Sequence, residues 1–285
     1  MKSKKKRRIF DAIRILVLLI AVSVLLYPSV SNYLYELKNT GVTKDYDSQV
    51  EQLSQDEKNE MFLAAVEYNK MLAGEEITEI KDPFSKEEKE PDELYESLLK
   101  MNDSGMMGYI KIPKINLELP IYHGTEESVL QVGVGHFEGT SLPVGGEKTH
   151  CVLTGHRGLP SRELFTNIDK LENGDVFYIK VFGETLAYQV DDIKTVLPEE
   201  TGSLVPFEGE DYVTLVTCTP YAVNTHRLLV RGHRIDYSTA VTHVPDINIE
   251  PQLPFEVKML ILAIAVIIAA FIIYQIIKII RRRKK

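Results

Sequence analysis

Two apolar runs, one near each end of the chain, constrain the fold more than any other feature. The first covers 15–27 and reads ILVLLIAVSVLLY, and the second covers the 19 residues 259–277. A helix needs about 20 predominantly apolar residues to cross the hydrocarbon core of a bilayer. With their flanking residues, the runs predict membrane-spanning helices at 9–31 and 257–280.

Basic side chains cluster at the outer end of each run, within 1–14 and 278–285. The positive-inside rule therefore predicts that the tails 1–8 and 281–285 are cytoplasmic and that the middle of the chain lies outside. The first run also fits a cleaved signal peptide, because small residues follow it near Ser29. Either interpretation leaves the middle of the chain extracytoplasmic.

The middle of the chain is strongly acidic. The chain has 33 Lys and Arg and 41 Asp and Glu; the two ends take 13 of the basic residues and one acid, which leaves 20 basic against 40 acidic residues between them. Affinity for nucleic acid depends on Lys and Arg that neutralise phosphates. Nucleic acid is therefore not an expected partner.

A polar, mainly helical region is expected at 32–104. Apolar residues recur there at helical spacing, at Met61, Ala65, Tyr68 and Leu72, which predicts an amphipathic helix within 33–72. Pro83 and Pro91, among many acids, then predict a loop at 73–93, followed by a short helix at 94–101.

From 105 to 237 the pattern changes to short β-rich runs separated by turn residues. Runs typical of strands lie at 107–112, 119–122, 150–154, 176–181, 185–190, 212–217 and 227–231. Seven or eight strands with only brief helical candidates, at 126–131 and 163–170, indicate an all-β barrel or sandwich. The proline-rich segment 238–256 is expected to be a tether to the second span.

Three side chains at predicted strand ends suggest acyl-transfer chemistry. Cys218 follows the strand 212–217 and precedes Pro220, His156 lies on a glycine-flanked turn, and Arg227 begins the next strand. A thiolate can attack a carbonyl, an imidazole can protonate the leaving amine, and a fixed cation can stabilise the oxyanion. Taken singly, such residues are usually structural or solvated.

Together these residues form a recognisable pattern. The motif TLVTC at 214–218, with Arg227 nine residues after the cysteine and TGHR at 154–157, resembles the signature of sortases, membrane-bound cysteine transpeptidases of Gram-positive bacteria. The segments GYIKIP at 108–113 and GHF at 135–137 extend the resemblance, which covers about 105–236.

The resemblance implies a closed eight-stranded β-barrel and a role for each of the three side chains. Cys218 would be the nucleophile, His156 the general acid and base, and Arg227 the residue that stabilises the oxyanion or positions the substrate. The substrates would carry an LPxTG-like sorting motif that is cut between Thr and Gly. No cofactor or metal is expected.

The segment Asp82, Pro83 and Phe84, with the second span, resembles class C sortases, in which a lid carrying a DP-aromatic motif covers the active site. The loop 73–93 would be this lid: Asp82 would pair with Arg227 or the cysteine region, and Phe84 would fill the thiol pocket. An isolated DPF sequence is more often an ordinary turn with a packed Phe.

The two cysteines leave a second interpretation open, because an even count outside the cell is typical of a disulfide. The resemblance instead makes Cys218 the nucleophile and Cys151 a buried, unreactive thiol. The other histidines, His123, His136, His150, His226, His233 and His243, are interpreted as structural or solvated.

The leading hypothesis is a class C sortase that polymerises pili. Its partners would be the cell membrane, pilin or surface proteins with C-terminal sorting motifs, and the lysine amine of a second pilin as acceptor. The alternatives are a sortase that attaches single proteins to peptidoglycan and a tethered β-barrel that binds peptides without cleaving them.

Overall fold

The computed structural model describes residues 2–74, 81–85, 92–101, 104–206, 209–245 and 249–283. It divides into two compact units, Met1–Tyr35 with Pro251–Lys285, and Glu36–Glu250. Within the described residues the α-helices are α1 (Lys2–Gln52), α2 (Gln55–Ala73), α3 (Glu93–Ser97), α4 (Glu127–Leu130), α5 (Tyr237–His243) and α6 (Phe255–Arg283).

The first and last helices carry the two apolar runs. Ile9–Gln52 and Phe255–Tyr274 are long and apolar enough to cross a membrane, and the most apolar part of each is wholly exposed. Exposed apolar surface on this scale is expected of a helix whose solvent is lipid. The prediction of a long apolar helix near each end of the chain is confirmed; that these helices cross a membrane stays a prediction.

The polar region after the first run forms two helices, not one. α1 ends at Gln52 and α2 begins at Gln55, because Ser54 caps the second helix. Its hydroxyl accepts a hydrogen bond from the Glu57 N–H at 3.2 Å, and the Glu57 carboxylate accepts one from the Ser54 N–H at 2.8 Å. This reciprocal capping box favours a new helix start at Ser54.

Eight strands form a closed barrel, as the resemblance implied. They are β1 (Met106–Ile112), β2 (Leu117–His123), β3 (Val134–His136), β4 (Thr149–Thr154), β5 (Val176–Val181), β6 (Glu184–Val196), β7 (Asp211–Thr219) and β8 (His226–Ile235). Their order around the barrel is β1-β2-β3-β4-β7-β8-β6-β5, and β5 closes on β1. The strand pattern indicated seven of them; the exception, β3, is only three residues long.

The parallel pairing of β4 and β7 decides where the candidate site lies. Thr154 at the end of β4 is opposite Val216 of β7. Parallel neighbours end at the same edge of a sheet, so the residues that follow Thr154 and Val216 emerge side by side. His156 and Cys218 each lie two residues beyond this pair, at one end of the barrel.

The segment 238–256, expected as a tether, contains a helix at its start. α5 is capped by Asp236, whose carboxylate accepts a hydrogen bond from the Thr239 N–H at 3.1 Å. Ala240 of α5 is fully buried against Val176 and Tyr178 of the barrel wall. Part of the expected tether is therefore packed on the β-barrel.

Candidate active site

Hydrogen bonds to β7, one from its backbone and one from a side chain, hold the turn that carries His156. The Gly155 N–H donates to the Val216 carbonyl at 3.1 Å, and the Thr217 hydroxyl donates to the Gly155 carbonyl at 2.7 Å. A Cβ atom at position 155 would lie 2.8 Å from the Phe165 ring, so only glycine lets the chain pass this close. The imidazole is thus attached to rigid backbone.

Arg157 joins the same turn to the end of β7, a role that no sequence pattern predicts. Its guanidinium donates to the Thr219 hydroxyl at 2.9 Å and forms an ion pair with Asp169. Thr219 immediately follows Cys218. The turn after β4 and the end of β7 are therefore held together from both sides of the predicted nucleophile.

Cys218 and Arg227 are direct partners in the antiparallel pair β7 and β8. Cys218 is 9% exposed as a whole residue. Burial raises the pKa of the Cys218 thiol; the Arg227 guanidinium acts to lower it and the Asp82 carboxylate to raise it. The balance favours a protonated thiol in this conformation, because a buried thiolate with a carboxylate nearby is costly.

Asp82 forms a two-pronged ion pair with Arg227. Arg227 donates from Nε to Oδ1 at 2.9 Å and from Nη2 to Oδ2 at 2.6 Å, and both side chains are mostly buried. Bidentate pairing is the strongest arrangement that an arginine and a carboxylate can form. Asp82 was expected to pair with Arg227 or with the cysteine region, and in the structure its carboxylate pairs with Arg227.

Phe84 covers both predicted catalytic partners of the thiol. Its ring lies 6.0 Å from the His156 ring, centroid to centroid, and the Arg227 guanidinium carbon lies 5.1 Å from its centroid. The ring also packs against a buried apolar cluster, Phe137, Val152, Leu204, Val216 and Leu229.

A tight turn presents Asp82 and Phe84 together. The Ser85 N–H donates to the Asp82 carbonyl at 2.9 Å, and the Phe84 N–H contacts the Asp82 carboxylate at 3.3 Å. Of the expected lid 73–93, the stretches 75–80 and 86–91 lie outside the described residues. The described turn, 81–85, is seated on Arg227 and His156.

Glu127 is a contact of His156 that the sequence did not reveal. Its carboxylate oxygens lie 3.2 and 3.3 Å from Nε2 of His156. Glu127 precedes the histidine by 29 positions and belongs to α4, which was recognised only as a brief helical candidate. No local pattern in the sequence links the two residues.

The two thiols are not joined. Cys151 and Cys218 are both free, and Cys151 is buried within β4 opposite Val213 of β7. Burial raises the pKa of Cys151 well above its usual value, with a further contribution from Asp211. A thiol that stays protonated is unreactive, so Cys151 has the character expected of a core residue.

Three of the remaining histidines, His123, His136 and His150, are buried in the barrel wall. Burial lowers the pKa of both His136 and His150 to about 4, so both are neutral near pH 7. His150 contacts the Thr214 hydroxyl at 2.7 Å and the Val205 carbonyl at 3.0 Å. No group of three or more His, Cys, Asp or Glu side chains among the described residues could hold a metal ion.

The comparisons with known proteins all find members of one family. A family model described as the sortase domain matches residues 110–235. The chain is 30% identical to sortase D of Bacillus subtilis over 131 residues, which is 45% of this chain and 63% of that protein, just under two thirds of its length. It is 27% identical to sortase A of Staphylococcus aureus over 78% of this chain and 92% of that protein.

Solved structures are similar over more of the chain. Sortase C1 of Streptococcus agalactiae is 47% identical, with a TM-score of 0.62 over 69% of this chain and 95% of that one. Sortase C-1 of Actinomyces oris is 48% identical, with a TM-score of 0.58 over 63% of this chain and 99% of that one. With nearly half of the aligned residues shared along almost the whole of these structures, the chain belongs to the sortase family, and within it to class C.

Proposed function

We propose that this chain is a membrane-anchored transpeptidase that joins pilin subunits. It would cleave an LPxTG-like sorting motif between Thr and Gly and transfer the new acyl end to a lysine amine of the next pilin. The observation that supports this most is the seating of Asp82 and Phe84 on Arg227 and His156. Two solved relatives point the same way, since one is a pilus-related sortase C and the other is described with pilin substrate specificity.

In the first half-reaction, Cys218 is the nucleophile. Its thiolate attacks the threonine carbonyl carbon, and the carbonyl oxygen becomes an oxyanion that the Arg227 guanidinium stabilises. The bond from this carbon to the glycine nitrogen then breaks. His156 gives its proton to the departing amine, and the acyl group remains on sulfur as a thioester.

In the second half-reaction the neutral His156 acts as the base. The neutral lysine amine attacks the thioester carbonyl, and His156 takes one proton from its nitrogen as the bond forms. The carbon–sulfur bond breaks, the thiolate of Cys218 returns, and an isopeptide bond joins the two proteins. Atoms and charge balance over the cycle without a cofactor.

The turn 81–85 would act as the inhibitory part of a lid. Asp82 occupies the guanidinium that the oxyanion needs, and Phe84 covers the imidazole, so substrate can engage only after the turn leaves. Each contact needs to contribute only about 1 to 2 kcal/mol, the scale of a partly buried ion pair or aromatic, to keep the open state a minority.

The lid proposal predicts a change in thiol reactivity. Asp82→Ala removes a carboxylate that raises the pKa of Cys218 and releases Arg227, and Phe84→Ala removes the apolar cover. We expect each change to raise the alkylation rate of Cys218 by about five- to thirtyfold, the factor that corresponds to 1–2 kcal/mol, and the pair to raise it further. The measurement is the rate of iodoacetamide labelling at neutral pH.

Ser85→Ala is the matched control for this experiment, because its exposed side chain belongs to the same turn and its N–H bond to Asp82 survives the change. Labelling rates in Asp82→Ala and Phe84→Ala equal to that of the parent would show that 81–85 is only a surface turn and not part of a lid.

The proposed arrangement of the chain keeps the expected boundaries. The tails 1–8 and 281–285 are cytoplasmic, 9–31 and 257–280 cross the membrane, and the outer part comprises 32–104, the catalytic barrel 105–237 and the connecting segment 238–256. Such anchoring would hold the enzyme beside membrane-bound pilins and raise their effective concentration.

This topology predicts the outcome of protease protection. A tag after Lys285 should resist protease added to intact protoplasts, whereas the barrel should be accessible from outside. Immunoblotting for the tag and for a barrel epitope measures both. Loss of the tag from intact protoplasts would show that the C-terminus lies outside and would refute the two-span arrangement.

The experiment that tests the proposed activity uses the full-length protein in detergent with a purified surface protein that carries a C-terminal sorting motif. A ladder of covalent polymers resistant to boiling in detergent is the expected result. Attachment of single copies only to added peptidoglycan amines would instead identify an anchoring sortase. Binding without any covalent product would indicate a peptide-binding module.

A further inference from the structure

We propose that Glu127 is a positioning residue for His156, so that the site works as a Cys–His–Glu arrangement. This inference rests on the proposed function and deepens it. The carboxylate of Glu127 lies 3.2 Å from Nε2 of the imidazole. Glu127 belongs to helix α4, which is separate from the segments that carry His156 and Cys218.

The carboxylate is itself held in place. Gln131, one turn further along the same helical segment, donates a hydrogen bond from Nε2 to Oε1 of Glu127. The Gln131 backbone carbonyl in turn accepts a hydrogen bond from the Arg162 guanidinium. A series of contacts therefore runs from Arg162 through Gln131 and Glu127 to His156, and it fixes the carboxylate although its side chain is 65% exposed.

The contact decides which imidazole nitrogen takes part in the reaction. Because a carboxylate only accepts hydrogen bonds, Nε2 of His156 must carry the proton in this contact. In the neutral ring Nδ1 then has the free lone pair, and within the described part of the chain it makes no hydrogen bond. Nδ1 is thus the nitrogen left to give a proton to the leaving amine and to take one from the acceptor lysine.

The charge of Glu127 assists the same steps. A carboxylate beside the ring stabilises the imidazolium that exists before the leaving amine is protonated and after the acceptor amine is deprotonated. On the lid side, the Arg227 guanidinium lies over Phe84 and is neutralised by Asp82. Glu127 is the carboxylate in direct contact with the ring.

The first test measures the contact between Glu127 and His156 and does not require catalysis. Diethyl pyrocarbonate modifies an unprotonated ring nitrogen, and mass spectrometry of the full-length protein in detergent locates the modified histidine. We expect Glu127→Ala to raise the carbethoxylation rate of His156 several-fold, because the tautomer with an unprotonated and uncovered Nε2 then becomes populated, whereas in the parent the lone pair is confined to Nδ1. Glu126→Ala removes a neighbouring carboxylate that makes no contact with the ring within the described residues, and it should leave the rate unchanged.

The second test measures catalysis in a double-mutant cycle. We expect Glu127→Ala to lower kcat for sorting-peptide cleavage roughly tenfold with little change in KM, since a small misplacement of a reacting group slows the chemical step. Glu127→Gln keeps an acceptor for Nε2 and should lose less. In a His156→Ala background, Glu127→Ala should have no further effect, whereas a merely structural loss would add.

Each outcome decides the inference. Equal carbethoxylation of His156 in the parent and Glu127→Ala would overturn the contact. Faster carbethoxylation with unchanged kcat would overturn the positioning role while leaving the contact. A parent protein that cleaves no sorting peptide would overturn the proposed function, and the positioning role with it, whatever the carbethoxylation result.

Discussion

Cys218→Ala is expected to abolish thioester formation and every covalent product. In the proposed mechanism the thiolate is the only nucleophile toward the sorting motif, and removing the nucleophile of a covalent mechanism leaves no alternative path of comparable rate. Polymer formation followed by gel electrophoresis, and acyl-enzyme formation followed by mass spectrometry, measure the loss.

Cys151→Ala is the matched control, because it removes the other thiol of the chain from a buried position in β4. It should keep most of the activity and lose some stability, since burying a smaller side chain leaves a small cavity. Covalent polymers formed by Cys218→Ala, or a complete loss of polymers in folded Cys151→Ala, would contradict the assignment of the nucleophile.

Removing either partner of the thiol should also have a large effect. His156→Ala is expected to lower the rate of acyl transfer by about 10²- to 10⁴-fold, the range for a general acid and base. Arg227→Ala should lower it by about 10²- to 10³-fold, as loss of an oxyanion donor does. The measurement is single-turnover cleavage of a sorting peptide.

Arg227→Ala is expected to have a second effect, on the turn 81–85, that is separate from its effect on turnover. Because its guanidinium also holds Asp82, Arg227→Ala should loosen the turn 81–85 and speed limited proteolysis within that turn even as turnover falls. Arg227→Lys keeps the charge but not the two-pronged geometry, and it should be intermediate in both assays. Lower turnover together with unchanged proteolysis of the turn in Arg227→Ala would contradict the double role.

The same two side chains thus serve both the resting state and the reaction in this account. Arg227 is engaged by Asp82, and His156 is covered by Phe84. Burial and the nearby Asp82 raise the pKa of Cys218, so departure of the turn would favour the thiolate as well as admit substrate. Protection of the thiol and control of substrate entry would therefore follow from one movement.

Most of the barrel could be predicted from the sequence, because strands such as β5 are bounded by turn residues and built from β-branched and aromatic side chains. β3 could not be predicted, since three residues are too few for a periodic pattern. The break between α1 and α2 was also missed: it depends on hydrogen bonds of Ser54 and Glu57 within an otherwise continuous helical pattern.

The residues of the candidate site likewise divide into those that the sequence predicts and those that it does not. Cys218, His156 and Arg227 belong to motifs that can be recognised along the chain. The contacts of Glu127 and Arg157 arise only when distant segments meet, and neither has a fixed spacing from its partner. The sequence left two partners open for Asp82, and the choice of Arg227 depends on where the turn packs.

The most direct test of the central claim is the mass of the full-length Asp82→Ala protein after brief incubation with a sorting peptide. The account predicts an increase equal to the peptide portion that ends in the motif's threonine, located on Cys218 and removed by hydroxylamine, as a thioester would be. An unmodified protein after the peptide has been cleaved, or an adduct on any other residue, would contradict it.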